Sequence, residues 1–215
     1  LQELTTSAAD ERPVPPSEDI GWTRRMVVPM RVIGGRSRGR RLAAKLPTSV
    51  RPTSDRVRES IFDILGSGGG VEGLDVLDLF CGSGALGVEA LSRGAASATF
   101  VDLSPDALEA VRTNLDAVGL GDEPVTLVRA SLPGWLLSGT ARAFDLALCD
   151  PPYDFSDWPA LLEPLRSEVA VMESGAPIVL PEGWVVTRER RYGGTLVTVA
   201  HRNGTGSLRS GCSRA

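Results

Sequence analysis

The chain has 215 residues, 42% of them hydrophobic and 23% charged, with a formal net charge of −4. That length and mixture describe one ordinary globular domain plus some tail, and no apolar run approaches the ~18 residues that a membrane-crossing helix needs. Three cysteines without CxxC spacing (Cys81, Cys149, Cys212) and a single histidine, His201, exclude a zinc set, so no metal is expected. Cys81 and Cys149 read as small buried residues at strand ends, which suits a reducing, cytoplasmic setting. A histidine-based nucleophile system would have to use His201, inside a late apolar strand.

Residues 1–29 are acidic and proline-bearing and lack the apolar centre of a signal peptide; either they are a disordered extension or the physiological start lies at Met26 or Met30. The charge is then segregated. Arg31, Arg36, Arg38, Arg40, Arg41, Lys45, Arg51, Arg56 and Arg58 face only one acid in that stretch, Asp55. Such a block predicts a polyanionic partner, against the plainer reading of a solvated arginine-rich surface. Lys45 is the only lysine of the chain, so the clustering rather than the choice of arginine carries the inference.

Residues 30–50 form a basic unit in which Arg31-Val32-Ile33, the turn Gly34-Gly35 and a return through Leu42 and Leu46 predict a short hairpin. Thr53 or Ser54 can cap a helix running to about Leu65, with Val57, Ile61, Ile64 and Leu65 on one face. After the flexible Gly66–Gly70 run, strands and helices alternate. Strands are predicted at Leu74–Leu79, Ala98–Asp102, Val125–Arg129, Phe144–Cys149 and Ile178–Leu180. Helices are predicted at Ala85–Arg93, Pro105–Val118 (capped by Ser104, with proline at its first position), Leu132–Leu137 and Trp158–Val171, the last kinked or split by Pro159 and Pro164. Trp184–Arg191 and Thr195–Arg202 flank Gly193-Gly194 as a closing hairpin. Residues 203–215 are small and polar and read as a disordered tail. The pattern over 51–202 is a doubly wound α/β sheet of seven strands, Rossmann-like, with an antiparallel C-terminal hairpin.

In such sheets ligands bind beyond the carboxyl ends of the strands. The segment from Asp78 closes the first central strand and opens through Gly82, Gly84 and Gly87 into a helix. The GxGxxG spacing alone is a weak signal for a dinucleotide. A carboxylate at Asp78 repels a pyrophosphate and welcomes an ammonium or sulfonium group, and Asp102, ending the next strand, can accept both hydroxyls of a ribose. Acid, glycine loop and second acid fit S-adenosylmethionine. A tight turn flanked by solvated acids is the bland alternative. Asp150-Pro151-Pro152-Tyr153 then follows a buried strand. The prolines stiffen the loop and remove donors, leaving a carboxylate, carbonyl oxygens and a ring face suited to a flat, amino-bearing group such as a nucleobase.

With these residues the chain resembles a class I, Rossmann-like methyltransferase, and Asp150–Tyr153 is similar to the amino-methyltransferase signature [Asp/Asn/Ser]-Pro-Pro-[Tyr/Phe/Trp]. More narrowly it resembles the bacterial family that methylates a guanine N2 amino group of 16S ribosomal RNA, the RsmD family. The likeness is carried by Met30–Gly35 with Arg38-Gly39-Arg40, by Arg51–Glu59, by Asp78–Gly87 continuing to Ala95, and by Asp150–Tyr153. Pro181–Trp184 and Arg191-Tyr192-Gly193 echo its last hairpin. The resemblance implies a methyltransferase in which Asp150, Pro151, Pro152 and Tyr153 act on the base. Asp78, Phe80, Gly82, Ser83, Gly84, Asp102, Leu103 and Ser131 would hold S-adenosylmethionine, and Arg36, Arg38, Arg40, Arg41, Arg51, Arg56 and Arg58 would hold RNA. It further implies 16S RNA or an assembling small subunit as partner, no membrane, and a monomer. Two positions depart from the pattern: Cys81 replaces an alanine, and Ser131 stands where many relatives carry an acid near the adenine. A DNA adenine-N6 methyltransferase shares loop and cofactor but usually carries a recognition insert, and only short connections occur here. A non-enzymatic RNA-binding protein predicts no cofactor binding and leaves the two-acid glycine site unexplained.

Overall fold

The computed structural model describes residues 30–43, 55–139 and 141–203. The expected extension over 1–29, the hairpin's return through Lys45 and Leu46, Arg51, the cap at Thr53 or Ser54, Cys212 and the tail beyond 203 all lie outside the described residues.

Seven strands form one sheet in the order β3-β2-β1-β4-β5-β7-β6. β1 (Asp75–Leu79), β2 (Ser97–Asp102), β3 (Val125–Arg129), β4 (Phe144–Cys149) and β5 (Ser167–Ser174) run parallel to one another. β7 (Thr195–Arg202) runs antiparallel to both β5 and the edge strand β6 (Trp184–Tyr192). The chain builds outward from β1 to β2 and β3, then returns to place β4 on β1's other side. The order therefore reverses at β1, and the crevice of such a sheet opens beyond the carboxyl ends of β1, β2 and β4.

The helices follow from the apolar periodicities. On α1 (Asp55–Ser67), Val57, Ile61 and Leu65 face a core that also takes in Val76 of β1, Leu146 of β4, Val169 of β5 and Val197 and Val199 of β7. α2 (Ala85–Ser92) and α3 (Pro105–Ala117) pack on that same face, with Ser104 capping α3 through Ala107 N at 3.3 Å. The opposite face buries Leu77, Leu79, Ala147 and Met172 against Leu136 of the short α4 (Gly134–Leu137) and against Trp158, Leu161 and Leu162 of α5 (Trp158–Leu162).

Two expectations are corrected. The segment Trp158–Val171 is not one helix: α5 ends at Leu162, and the chain becomes β5 from Ser167. Glu163 keeps helical backbone, but Pro164 has no N–H to carry the helix on, and the unbroken apolar run Val169–Met172 suits a strand buried on both faces. Ile178–Leu180 forms no strand, and Val179 is 77% exposed there. The count of seven survives because β5 replaces it.

The basic N-terminal segment is a turn closed by one antiparallel bridge, Arg31 to Arg41, with no longer ladder among the described residues. Val32 N, Gly39 N and Leu42 N bond across the turn to Arg40 O, Val32 O and Met30 O, and other amides reach α2. Ile33 N and Gly34 N donate to the carboxylate of Glu89 at 2.8 and 2.7 Å, and Arg36 N donates to Ser92 O at 2.8 Å. Gly35 sits at φ 72°, and a Cβ there would overlap the Ser92 carbonyl, so the approach demands glycine.

Candidate active site

Asp78, Asp102 and Asp150 stand at the carboxyl ends of three neighbouring strands. Leu79 of β1 is in register with Val101 of β2 and with Cys149 of β4, so the acid beside each end faces one rim. Asp78 is buried and accepts Gly87 N at 2.9 Å. Burial pushes its carboxyl well above the usual carboxylate range; the Gly87 amide opposes this, and the charges of Asp150 and Asp102 add to it. An acid held this way gains most from a cation placed beside it.

The glycine loop has two kinds of glycine. Gly82 (φ 51°) and Gly84 (φ 75°, the residue before α2) shape the turn. Gly87 lies inside α2, where a Cβ would run into the Phe100 ring; it serves close packing of helix on strand. Phe80, unusually for an aromatic residue, has φ 57°. Its ring meets Phe155 at 5.3 Å, and Phe155 meets Trp158 edge-on at 5.2 Å, so a file of rings joins the glycine loop to the loop after β4. Ser83 is buried, with its carbonyl taken by Asn114 Nδ2 at 2.9 Å. Asn114 is a buried amide on α3 that sequence reasoning missed, since a polar residue inside an amphipathic helix carries no local sign of its partner.

Asp102 accepts Gly82 N at 2.9 Å through Oδ2 and Ser104 N at 2.9 Å through Oδ1. Those amides lock the carboxylate in place, and a carboxylate has about four lone-pair directions, so each oxygen keeps one for a ribose hydroxyl. Leu103 beside it is 63% exposed, and Ser131 is exposed just past the end of β3. Both therefore lie on the rim where an adenosine would extend. The thiols of Cys81 and Cys149 are buried and pushed far up by that burial, which makes neither a nucleophile at neutral pH.

Asp150 is half-buried, Pro151 is buried, and Tyr153 is 65% exposed. Phe155 N donates to Pro152 O at 2.9 Å, closing the turn, while the Pro151 carbonyl accepts no backbone amide among the described residues. The loop lines a pocket with Phe155, Trp158, Glu173, Ser174 and Thr195. Glu173 escaped sequence reasoning because β5 reads locally as helix. Its signal is the one that marks Asp78, Asp102 and Asp150, an acid ending an apolar run.

The basic residues divide. Arg58 is fully buried, with Nη2 donating to Arg31 O at 2.7 Å and to Asp55 Oδ1 at 2.5 Å; it ties α1 to the N-terminal segment and presents nothing to a phosphate, which corrects the expectation for it. Arg36 pairs with Glu123 at 2.5 Å, and Arg40 Nη1 donates to Val118 O at 2.7 Å. Those contacts, with Arg36 N on Ser92 O, put the Gly35–Arg40 turn at the carboxyl ends of α2 and α3, the opposite end of the sheet from Asp150. Arg38, Arg41 and Arg56 are exposed.

A family model described as Conserved hypothetical protein 95 matches residues 30–201. The chain is 32% identical over 191 residues to Ribosomal RNA small subunit methyltransferase D of Escherichia coli (strain K12), covering 82% of this chain and 92% of that protein. This chain belongs to the RsmD family of ribosomal RNA methyltransferases. Its similarity to another relative, "Putative rRNA methyltransferase YlbH" of Bacillus subtilis (strain 168), is 38% identity over 188 residues, 81% of this chain and all of the relative. Among solved structures, a hypothetical protein of Thermus thermophilus superimposes with a TM-score of 0.65 at 30% identity, over 79% of this chain and 98% of that one. The RsmD-family match begins at residue 30 and ends at 201, and so takes in all three acids, the glycine loop and the closing hairpin.

Proposed function

We propose that this chain uses S-adenosylmethionine to methylate the exocyclic N2 amino group of a guanine in 16S ribosomal RNA, free or in an assembling small subunit. One observation carries the reading: Asp150-Pro151-Pro152-Tyr153 ends the strand next to the one that ends in Asp78 and the glycine loop, so a base on one faces a cofactor on the other. The residues fit the cofactor. Asp78, raised by burial, suits its cationic groups, and Asp102 keeps two free lone pairs for the ribose.

S-adenosylmethionine, when bound, supplies an electrophilic methyl group. The chain's own residues prepare the acceptor. The guanine N2 lone pair is delocalised into the ring and is a weak nucleophile. Asp150 and the Pro151 carbonyl can each accept one N–H of the amino group, which localises the lone pair and fixes its direction. Tyr153, exposed at the pocket mouth, stacks on the base plane. Forming the new N–C bond would break the donor's methyl–sulfur bond and leave a neutral thioether, and the amino nitrogen would shed one proton to Asp150 or water. Most of the acceleration comes from positioning. Arg38, Arg41 and Arg56 are the exposed candidates for phosphate contacts within the basic segment.

The test is Asp150→Ala with radiolabelled S-adenosylmethionine and small-subunit RNA. Methyl transfer should fall at least about a hundredfold while cofactor binding persists. Retained transfer in a folded variant would sink the role. Nuclease digestion and mass analysis of the wild-type product should yield N2-methylguanosine; N6-methyladenosine would replace the guanine reading.

A further inference from the structure

Within the basic block that announces a polyanion in the sequence, the described Gly35–Arg40 turn does not sit at the pocket. Arg58 is buried, and Arg36 and Arg40 are engaged at the far end of the sheet. Three arginines outside that block stand closer. Arg188, Arg190 and Arg191 lie on the edge strand β6, and all are exposed. Among the described residues none has a carboxylate within ion-pair distance. Glu189, between them, receives the Thr198 hydroxyl at 3.4 Å.

Their height on the sheet follows from the register. β7 descends from Thr195 at the pocket to Arg202, and β6 rises beside it, with Arg190 opposite Val197 and Arg188 opposite Val199. At about 3.4 Å per residue, Arg190 lies about 7 Å and Arg188 about 14 Å below the pocket wall, one strand outward. Residues directly opposite share a face. Val197 and Val199 belong to the same core as Val57 and Ile61 of α1, so Arg188 and Arg190 are on the α1 side of the sheet, with Arg191 on the other. The spacing of Arg188 and Arg190 is about 7 Å, and the row of unmatched positive charge leads up to the Gly193-Gly194 turn and the pocket rim.

We infer that the outer edge of β6 is a phosphate-binding track for the RNA strand that delivers the target base, with Arg188, Arg190 and Arg191 contacting backbone phosphates next to the flipped nucleotide. This rests on the proposed RNA methyl transfer and adds to it the surface where the RNA runs. Sequence-independent contacts of this kind release counterions, so they set affinity and its salt dependence.

The experiment compares wild type with Arg188→Gln/Arg190→Gln/Arg191→Gln in the full chain, and with Arg112→Gln as a control that removes an exposed arginine of α3 paired with Glu109. Binding to the small-subunit RNA is titrated across potassium chloride concentrations, and methyl transfer is measured with radiolabelled cofactor. Loss of three phosphate contacts should reduce the slope of log affinity against log salt by about 2 and weaken binding at least tenfold at low salt. KM for RNA should rise, with S-adenosylmethionine binding and melting temperature unchanged. An unaltered slope and KM in the folded triple variant overturns the track while leaving the methyl-transfer reading intact. Absence of RNA methylation by wild type defeats that reading itself, and the track with it. A slope change equal to that of Arg112→Gln also overturns the proposal, because the effect is then one of overall charge.

Discussion

At the scale of single residues, Asp78 is the position where function and stability pull apart. Its carboxyl is raised mainly by burial, so the folded chain holds its proton more tightly than the unfolded chain does. Stability then falls as pH rises from the ordinary carboxylate range through the raised folded value. In the cofactor-free protein, Asp78→Asn should therefore melt higher than wild type at pH 7 to 8, with each kcal/mol worth about 2–4 °C. The gap should close toward pH 4, where both carry a neutral side chain. The variant should lose cofactor affinity in the same samples, because the neutral amide no longer attracts a cation. Calorimetric melting over pH, with and without S-adenosylmethionine, reads both effects; a variant that melts lower than wild type at pH 8 contradicts the account. The placement of Asp78, Asp102 and Asp150 at neighbouring strand ends was legible because each stands at the close of an apolar strand, a local signal. Arg58 was not, because its burial depends on Arg31 O, 27 residues away, and no pattern within α1 separates it from the exposed Arg56.

At the scale of elements, α2 is bound to the sheet by the absence of a side chain. A methyl group on Gly87 overlaps the Phe100 ring of β2 and comes within 3.1 Å of Asp78 Oδ2. Gly87→Ala should destabilise by about 1–3 kcal/mol despite alanine's better helix propensity. It should also weaken cofactor binding by displacing Asp78. Chemical denaturation with parallel dialysis against labelled cofactor checks both; a more stable variant would mean that the helix simply moves out. Most elements were readable in the sequence because strand and helix periods differ and glycine or proline marks the joints. β5 was not. Trp158–Leu162 begins as a helix with its proline in the first turn, and only the second proline and a four-residue apolar run announce the change to a strand. Ile178–Leu180 failed for the opposite reason: three apolar residues suggest a strand, but no neighbouring strand pairs with them.

At the scale of the whole molecule, Glu89 joins the N-terminal segment to the body. It is fully buried on α2, accepts Ile33 N and Gly34 N, and pairs with Arg93 Nε at 2.7 Å. Glu89→Ala leaves those donors without a partner and should cost about 3 kcal/mol. Proteolysis should then cut first near residues 31–41, ahead of global unfolding; a variant as resistant there as wild type would show that the bridge at Arg31 and Arg41 suffices. The ties of this segment also constrain the order in which the chain can fold during synthesis. Ser37 N bonds to Ser92 Oγ, and Ser37 Oγ and Arg40 both bond to Val118 O, so this stretch has its partners 55 to 81 residues downstream. At roughly 5–20 residues per second, it emerges several seconds before Val118 does. Its contacts with Val118 must wait until α3 is complete, whereas Glu89 emerges earlier, so pulse-labelled protection of the Ile33 and Gly34 amides is a clock for when the nascent chain closes on α2.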